Sequence, residues 1–303
     1  MNNDSSSAFL SDVDSAVDLQ PGKQFTNVTP IYTSPSGPAR LYMAQRYGKR
    51  YVLKLLKPDF ELTPVYRMAL RKEFEIGIQL DHPNICRTIG WEEVPELGQA
   101  IVMEYIDGDT LESLINQGRL TQTLARSVFR QLCQAIDYMH SKQIIHRDIK
   151  PANIMVTHTG NQVKLIDFSL SDGDAFSVLK SPAGSRGYIA PEQLLVGALP
   201  SVAADIYSLG KVMQDMASAT HDWGLQHASQ ACVSLDVAER PKSASAIRLP
   251  AVHYRWSMAA IVGTAIILLG LAIAGLVCQM NGTASDNSIE QTESDGNTVV
   301  SHF

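Results

Sequence analysis

Polar side chains able to do chemistry crowd into one short stretch of this chain. Asp148, Lys150 and Asn153 fall within His146-Arg147-Asp148-Ile149-Lys150-Pro151-Ala152-Asn153, and Asp167 follows in Asp167-Phe168-Ser169. Between them, Ile154-Met155-Val156 and Val163 to Ile166 flank the turn Thr159-Gly160-Asn161 and read as a β-hairpin. Such a hairpin brings Asn153 and Asp167 to one end, where their two oxygen donors suit a hard cation such as Mg²⁺. Isolated Asp and Asn residues are more often turn formers, so the flanking pattern carries the metal reading. Cys86, Cys133, Cys232 and Cys278 lie far apart without CxxC spacing or a nearby His cluster. That argues against zinc or a disulfide framework and for isolated reduced thiols.

The elements that must hold these residues can be read from periodicity. Tyr42 to Leu56 is strand-like around Tyr47-Gly48-Lys49, and Gln99 to Tyr105 contains the apolar run Ala-Ile-Val-Met. Leu124, Val128, Leu132, Ile136 and Met139 then recur at three- or four-residue spacing, which predicts an amphipathic helix. A strand-rich first part followed by a helix-rich second part implies an α+β fold, and no internal repeat is visible. The 303 residues can bury a core without staples. Of the 25 Lys and Arg and 31 Asp and Glu, residues 25 to 256 hold 24 and 23, so that part is nearly neutral. It offers no basic field, and no nucleic-acid partner is expected.

In order and spacing these motifs, with Ala190-Pro191-Glu192 downstream, resemble the eukaryotic-type protein serine/threonine kinase family over about residues 25 to 248. The resemblance implies a two-lobed fold, with a small strand-rich lobe and a larger helical one. It implies Asp148 as the base that orients and deprotonates an acceptor hydroxyl, and Lys150 as the charge that neutralises the transferred phosphate. ATP and Mg²⁺ are the implied cofactors, the metal held by Asn153 and Asp167. Tyr51-Val52-Leu53-Lys54 looks like the strand whose Lys54 grips the α and β phosphates, with Glu73 rather than Glu75 as its partner on the next helix. Met103 falls at the gatekeeper position, and Glu104 and Ile106 would offer backbone groups to adenine. Arg147 and Phe168 take regulatory places. Ser185 stands where the family more often has a Thr bonding the catalytic Asp and Lys, Asp205 would hold the catalytic-loop backbone, and Arg240 would pair with Glu192. Between Asp167 and Glu192 the serines are candidates for an ordering phosphate, Ser177 and Ser181 above all.

Three positions depart from the pattern. The phosphate-covering loop falls on Ser34-Pro35-Ser36-Gly37-Pro38-Ala39-Arg40-Leu41 and keeps none of the three family glycines, so side chains and prolines oppose close backbone approach to phosphate. Ser169 replaces the glycine after Asp-Phe, and Gly77 replaces a bulky apolar residue expected to stack on Phe168. The stretch between Gly210 and Arg240 is also shorter than the family norm.

The ends differ from the middle. Residues 1–24 read as a disordered acidic arm without a secretion signal, residues 25–250 as the kinase-like domain, and 251–256 as a juxtamembrane link. Residues 257–277 (SMAAIVGTAIILLGLAIAGLV) carry no charge and would span about 31 Å as a helix, against a hydrocarbon core of about 30 Å. With Tyr254 and Trp256 at the interface and Arg248 and Arg255 on the N-terminal side only, the expectation is a single-pass protein. Its kinase domain would be cytoplasmic and its short polar tail, 278–303, outside. Ala259, Gly263, Gly270 and Ala274 share a small-residue face that could bring two copies together as a homodimer. The reading is thus an ATP-dependent protein serine/threonine kinase, tethered to a membrane and acting on protein substrates. The alternatives are a pseudokinase serving as a membrane-tethered binding or scaffold module, and a small-molecule phosphotransferase.

Overall fold

The computed structural model describes residues 24–35, 37–168, 187–195, 198–250, 263 and 265–276. The chain divides after Pro250 into two units, Met1–Pro250 and Ala251–Phe303. The first unit begins with three antiparallel strands, β1 (Thr26–Thr33), β2 (Ala39–Arg46) and β3 (Lys49–Leu56). Tyr47 and Gly48, at φ 52° and 73°, close the β2–β3 hairpin. Two positive φ values in a two-residue loop match the twist of the flanking strands. Two short helices follow, α1 (Pro58–Glu61) and α2 (Pro64–Gly77), and then β4 (Thr88–Val94) and β5 (Gly98–Glu104). The five strands form one antiparallel sheet in the order β1-β2-β3-β5-β4.

Alternation along β3 and β5 sorts side chains onto two faces. Leu53, Leu55 and Val102 pack with Ala44, Val94 and Ala100 on one face. Leu56 and Ile101 pack with Leu70 of α2, Phe74, Trp91 and Met103 on the other. Lys54 lies between Leu53 and Leu55 in sequence, so it points to the α2 side. On α2 the buried positions are Leu70, Glu73, Ile76 and Gly77, one face at helical spacing.

The larger, helical part starts with β6 (Gly108–Thr110), α3 (Leu111–Asn116) and α4 (Gln122–Ser141). The expected amphipathic helix is α4, which buries Val128, Phe129, Leu132, Ile136 and Met139 at 3% exposure or less. Each such side chain contributes about 1.5–3 kcal/mol on leaving water. Thr121 caps its first turn. The hairpin read from sequence is β7 (Ile154–Thr157) and β8 (Val163–Leu165), joined through Gly160 and Asn161 at positive φ. With β6 these strands make a second sheet, β6-β7-β8. Two further helices, α5 (Val202–Thr220) and α6 (Trp223–Cys232), complete a core shared with α4.

In the second unit residues 265–276 are helical, with exposed apolar side chains such as Ile267 and Leu268. Among the described residues no helix is long and apolar enough to cross a membrane. Of the expected span 257–277, residues 257–262, 264 and 277 lie outside the described residues, as do residues 1–23 of the arm, the juxtamembrane link, the outer tail, Ser169, Ser177, Ser181 and Ser185.

Candidate active site

Lys54 is 6% exposed, and its Nζ lies 2.5 Å from Glu73 Oε1 and 2.7 Å from Asp167 Oδ1. One ammonium thus joins the sheet, α2 and the chain just after β8. Glu73 is 6% exposed, whereas the Glu75 side chain is 47% exposed and pairs only with Arg71 and Lys72 of its own helix. Burial alone would lower the Lys54 pKa, but the carboxylates of Asp167 and Glu73 overcome it and raise it. Burial, with Asp167 adding to it, pushes the Glu73 carboxyl up to about 7 against the pull of Lys54. Two carboxylates sharing one cation compete for it, and the more deeply buried one holds its proton longer.

The turn after α4 carries His146 to Asn153. Asp205, fully buried on α5, accepts hydrogen bonds from the backbone N–H groups of His146 and Arg147, both at 2.8 Å, and bonds His140 Nε2 at 2.8 Å. This carboxylate fixes a backbone in which Arg147 sits at φ 67°. A left-handed non-glycine residue costs about 1–3 kcal/mol and persists only where its surroundings impose it. Asp148 receives the Lys150 ammonium at 2.7 Å and the Asn153 amide Nδ2 at 2.9 Å, both on Oδ2. Asn153 Nδ2 also donates to the Asp148 carbonyl at 2.9 Å. Both amide hydrogens therefore face Asp148, which leaves Asn153 Oδ1 as an oxygen donor for a cation.

The β7–β8 hairpin brings Asn153 beside Asp167 through the bond from Ile166 N to Asn153 O, 2.9 Å. Asp167 also has a left-handed backbone, φ 67°. Phe168 is buried and meets the His146 ring edge-to-face at 5.7 Å. A carboxylate and a carboxamide oxygen form the hard, incomplete ligand set that suits Mg²⁺ shared with phosphates. Among the described residues no cluster of three or more His, Cys, Asp or Glu offers an all-protein metal site.

At the lobe junction Met103 pairs with Val52 and Thr88 across the sheet. The Glu104 amide donates to Arg87 O at 3.0 Å, so that group is committed to the sheet, and Ile106 follows half-buried. The space next to Gly77 is filled by Thr88: a Cβ added at Gly77 would lie 2.2 Å from Thr88 Oγ1. Farther away, Arg240, 2% exposed, grips Glu192 through Nη1 at 2.7 Å and Nη2 at 2.9 Å. Burial opposes ionisation of Glu192, but Arg240 holds its carboxyl below the usual range.

Sequence reasoning missed several contacts. Lys164 Nζ meets Glu104 Oε1 at 2.7 Å, tying β8 to the end of β5. Asp222 is buried, caps α6 and takes Arg126 through both oxygens. Tyr188 Oη donates to Asp215 Oδ2 at 2.6 Å. These partners lie tens of residues apart, and no local pattern announces them.

A strand-rich lobe presenting a Lys–Glu pair, set against a helical lobe presenting Asp148, Asn153 and Asp167, is the two-lobed protein kinase fold. Residues 35–252 match the protein kinase domain family, and the chain belongs to that family. It is 37% identical over 175 residues to serine/threonine-protein kinase PknA of Mycobacterium tuberculosis (strain ATCC 25618 / H37Rv), covering 55% of this chain and 40% of that protein. To serine/threonine-protein kinase PknB of the same strain it is 33% identical over 191 residues, covering 59% of this chain and 30% of the relative. The matched region is therefore less than half of either relative.

Proposed function

We propose that this chain is an ATP- and Mg²⁺-dependent protein serine/threonine kinase whose catalytic domain is tethered to a membrane. The observation that carries the activity is the joined set Lys54, Glu73, Asp167, Asn153, Asp148 and Lys150. Mg²⁺ and ATP, when bound, supply an activated phosphoryl group with its charge partly neutralised. Asp148 would orient the acceptor hydroxyl and take its proton as the hydroxyl oxygen bonds to the γ-phosphorus and the bond from that phosphorus to the departing ADP oxygen breaks. Lys150 places a positive charge beside that carboxylate, Lys54 would hold phosphate oxygens, and Asn153 Oδ1 with the Asp167 carboxylate would hold the metal. The names of PknA and PknB support Ser and Thr as acceptors.

A specific observation bears on the pseudokinase alternative. In the loop between β1 and β2, Ser34 N donates to Ala39 O and Gly37 N to Ser34 Oγ, while Pro35 and Pro38 have no N–H. None of these four residues offers a phosphate a free amide. Nucleotide affinity then falls on Lys54 and the metal ligands, and the chain is a slow kinase with weak nucleotide binding rather than an inert fold, because charge and metal dominate the transfer step.

The tether rests on the uncharged run 257–277 and on the exposed apolar side chains of 265–276, which need a nonaqueous surrounding. Arg248 and Arg255, on the N-terminal side of that run only, support a cytoplasmic catalytic domain and an outside tail, and the small-residue face supports pairing of two copies.

The full chain with radiolabelled ATP should label Ser or Thr in itself or in a generic protein substrate, and Asp148→Asn should remove the label. Equal labelling by the two proteins overturns the activity, and nucleotide binding without turnover favours the scaffold reading.

A further inference from the structure

Trp223, the first residue of α6, is 67% exposed. A single aromatic on a surface requires no explanation, but the bonds that place this one also fix where the chain leaves the catalytic domain. Asp222 caps α6 and accepts from Arg126 Nη2 at 2.7 Å, while Arg126 Nη1 donates to the Pro250 carbonyl at 3.4 Å. One guanidinium near the start of α4 therefore holds Pro250 beside the residue that precedes Trp223. The approach to Pro250 is fixed as well. Asp137, about three turns further along α4, accepts from Ala244 N and Ser245 N, both at 2.8 Å, so residues 244–250 run back along that helix to Arg126.

The surface around Trp223 has a consistent chemistry. Its indole stacks on the His227 ring one turn later, with centroids 5.0 Å apart and 8° between the planes, so the helix holds its orientation. The exposed positions of α6 are Trp223, Gln226, His227, Gln230 and Ala231, and none is acidic. Asp222 is the one acid between Ser218 and Ser234, and it is buried and paired with Arg126. Arg248 is exposed two residues before Pro250, whereas the exposed acids Asp236 and Glu239 follow the opposite end of α6. An amphipathic ring without neighbouring carboxylates, and with a guanidinium close by, suits the headgroup layer of a bilayer.

Chain length selects that occupant. Seven Cα–Cα steps join Pro250 to Ser257, where the uncharged run begins, and they span at most about 23–25 Å. A headgroup layer takes up about 5–8 Å of this, so Pro250 stays within about 15–20 Å of the lipid headgroups. We propose that the Trp223 end of α6 is a lipid-facing surface, with the indole lying among the headgroups and Arg248 facing anionic phosphates there. This rests on the membrane tether proposed above and adds to it one preferred orientation of the catalytic domain on the bilayer. Because the tether makes the contact intramolecular, a weak attraction is enough to hold it.

The test uses the full chain, labelled with fluorotryptophan at Trp91, Trp223 and Trp256, in nanodiscs of phosphatidylcholine and phosphatidylglycerol. Trp223→Phe and Trp256→Phe assign the fluorine NMR signals. A nitroxide on a lipid headgroup broadens fluorines near the membrane surface: Trp256 reports the tether, and Trp91, on β4, is the distant reference. Trp256 and Trp223 should both broaden and Trp91 should stay sharp. Lengthening the link with a Gly-Ser stretch after Pro250 removes the distance limit, and the Trp223 broadening should survive it. Arg248→Gln should shift the balance between docked and lifted domain about fivefold toward lifted, as should lipid without phosphatidylglycerol or a high salt concentration. Broadening of Trp256 with Trp223 as sharp as Trp91 overturns the surface and leaves the tether standing. Trp223 broadening that disappears in the lengthened chain also overturns the surface, since it shows proximity imposed by the link alone. Broadening of Trp223 without Trp256 supports the surface and overturns the tether, and sharp signals from both overturn the two together.

Discussion

Gly77 is the departure from the family pattern whose consequence can be worked out atom by atom. It ends α2, the helix that carries Glu73, and its missing side chain faces Thr88 on β4. A Cβ at position 77 would stand 2.2 Å from Thr88 Oγ1, 3.2 Å from Thr88 Cβ and 3.6 Å from Thr88 Cγ2. Turning Thr88 so that its hydrogen faces the new methyl removes the first contact and leaves the second, so rotation relieves only part of the overlap. Overpacking of this kind costs about 1–3 kcal/mol, while replacing glycine in a helix returns about 0.5–1 kcal/mol. Gly77→Ala should therefore destabilise the protein by about 1–2 kcal/mol and lower Tm by about 3–6 °C. It should also reduce phosphorylation more than stability alone explains, because α2 can yield only by carrying Glu73 away from Lys54. In a Thr88→Ala background the clash is gone and the same substitution should be neutral or stabilising. The assays are differential scanning calorimetry and initial-rate kinetics on the four proteins of the cycle. An unchanged or raised Tm for Gly77→Ala in the otherwise native chain would refute the packing described here.

Two further outcomes follow from buried charges. Glu73, pushed up to about 7 by burial, keeps a proton that the unfolded chain has already lost above about pH 4.5. Its contribution to stability is full below about pH 4.5 and is lost as pH rises through 7, so wild type should lose about 3 kcal/mol relative to Glu73→Gln across that window, read by urea unfolding at a series of pH values. A constant difference from pH 4.5 to 8 contradicts this. Arg240→Lys keeps the charge but not the fork that bonds both Glu192 oxygens and, through Nε, the Ser234 carbonyl; it should lower the urea midpoint by the equivalent of about 2–3 kcal/mol with an unchanged m value. A midpoint equal to wild type would show that the bidentate geometry contributes nothing.

What could be read from sequence was local. The β2–β3 hairpin announces itself by Tyr47-Gly48 between alternating residues, and α4 by the recurrence from Leu124 to Met139. The β7–β8 hairpin is visible because its turn residues, Gly160 and Asn161, take positive φ. Long-range pairs had no such signal. Asp222 precedes Trp223-Gly224 and looks like an ordinary turn residue, and only Arg126, on a helix far upstream, makes it a buried ion pair. Lys164 alternates outward on a short strand and reads as solvated until Glu104 is folded against it. Asp215 reads as a solvated helix position until Tyr188 is folded against it. Strand β4, with Gly90 and two consecutive Glu residues, lacks clean alternation and exists because β5 supplies its partner. Motif resemblance bridged part of this gap, since the register of Lys54, Glu73 and Asp167 joins three elements that periodicity treats separately.

Two of the departures fall on the strand-rich lobe, and the shortened stretch between Gly210 and Arg240 belongs to the helical one. The loop from Ser34 to Ala39 and the Gly77–Thr88 contact belong to the strand-rich part, while the helical part carries the pairs Asp148–Lys150 and Glu192–Arg240 and the Asp205 bonds to the catalytic-loop backbone. The two strand-rich features have different consequences. In the β1–β2 loop Ser34 N and Gly37 N are bonded within the loop and Pro35 and Pro38 have no N–H, so these four residues offer no amide to a phosphate. The Gly77–Thr88 contact is close, so α2 is held against β4 rather than on a flexible apolar stack. Lys54 lies between Glu73 of that helix and Asp167, 2.5 and 2.7 Å from their carboxylate oxygens. On the function proposed above, transfer rests on the bonded groups that neutralise and align charge, Lys54, Glu73 and Asp167 on one side and Asp148, Lys150 and Asn153 on the other, rather than on the β1–β2 loop.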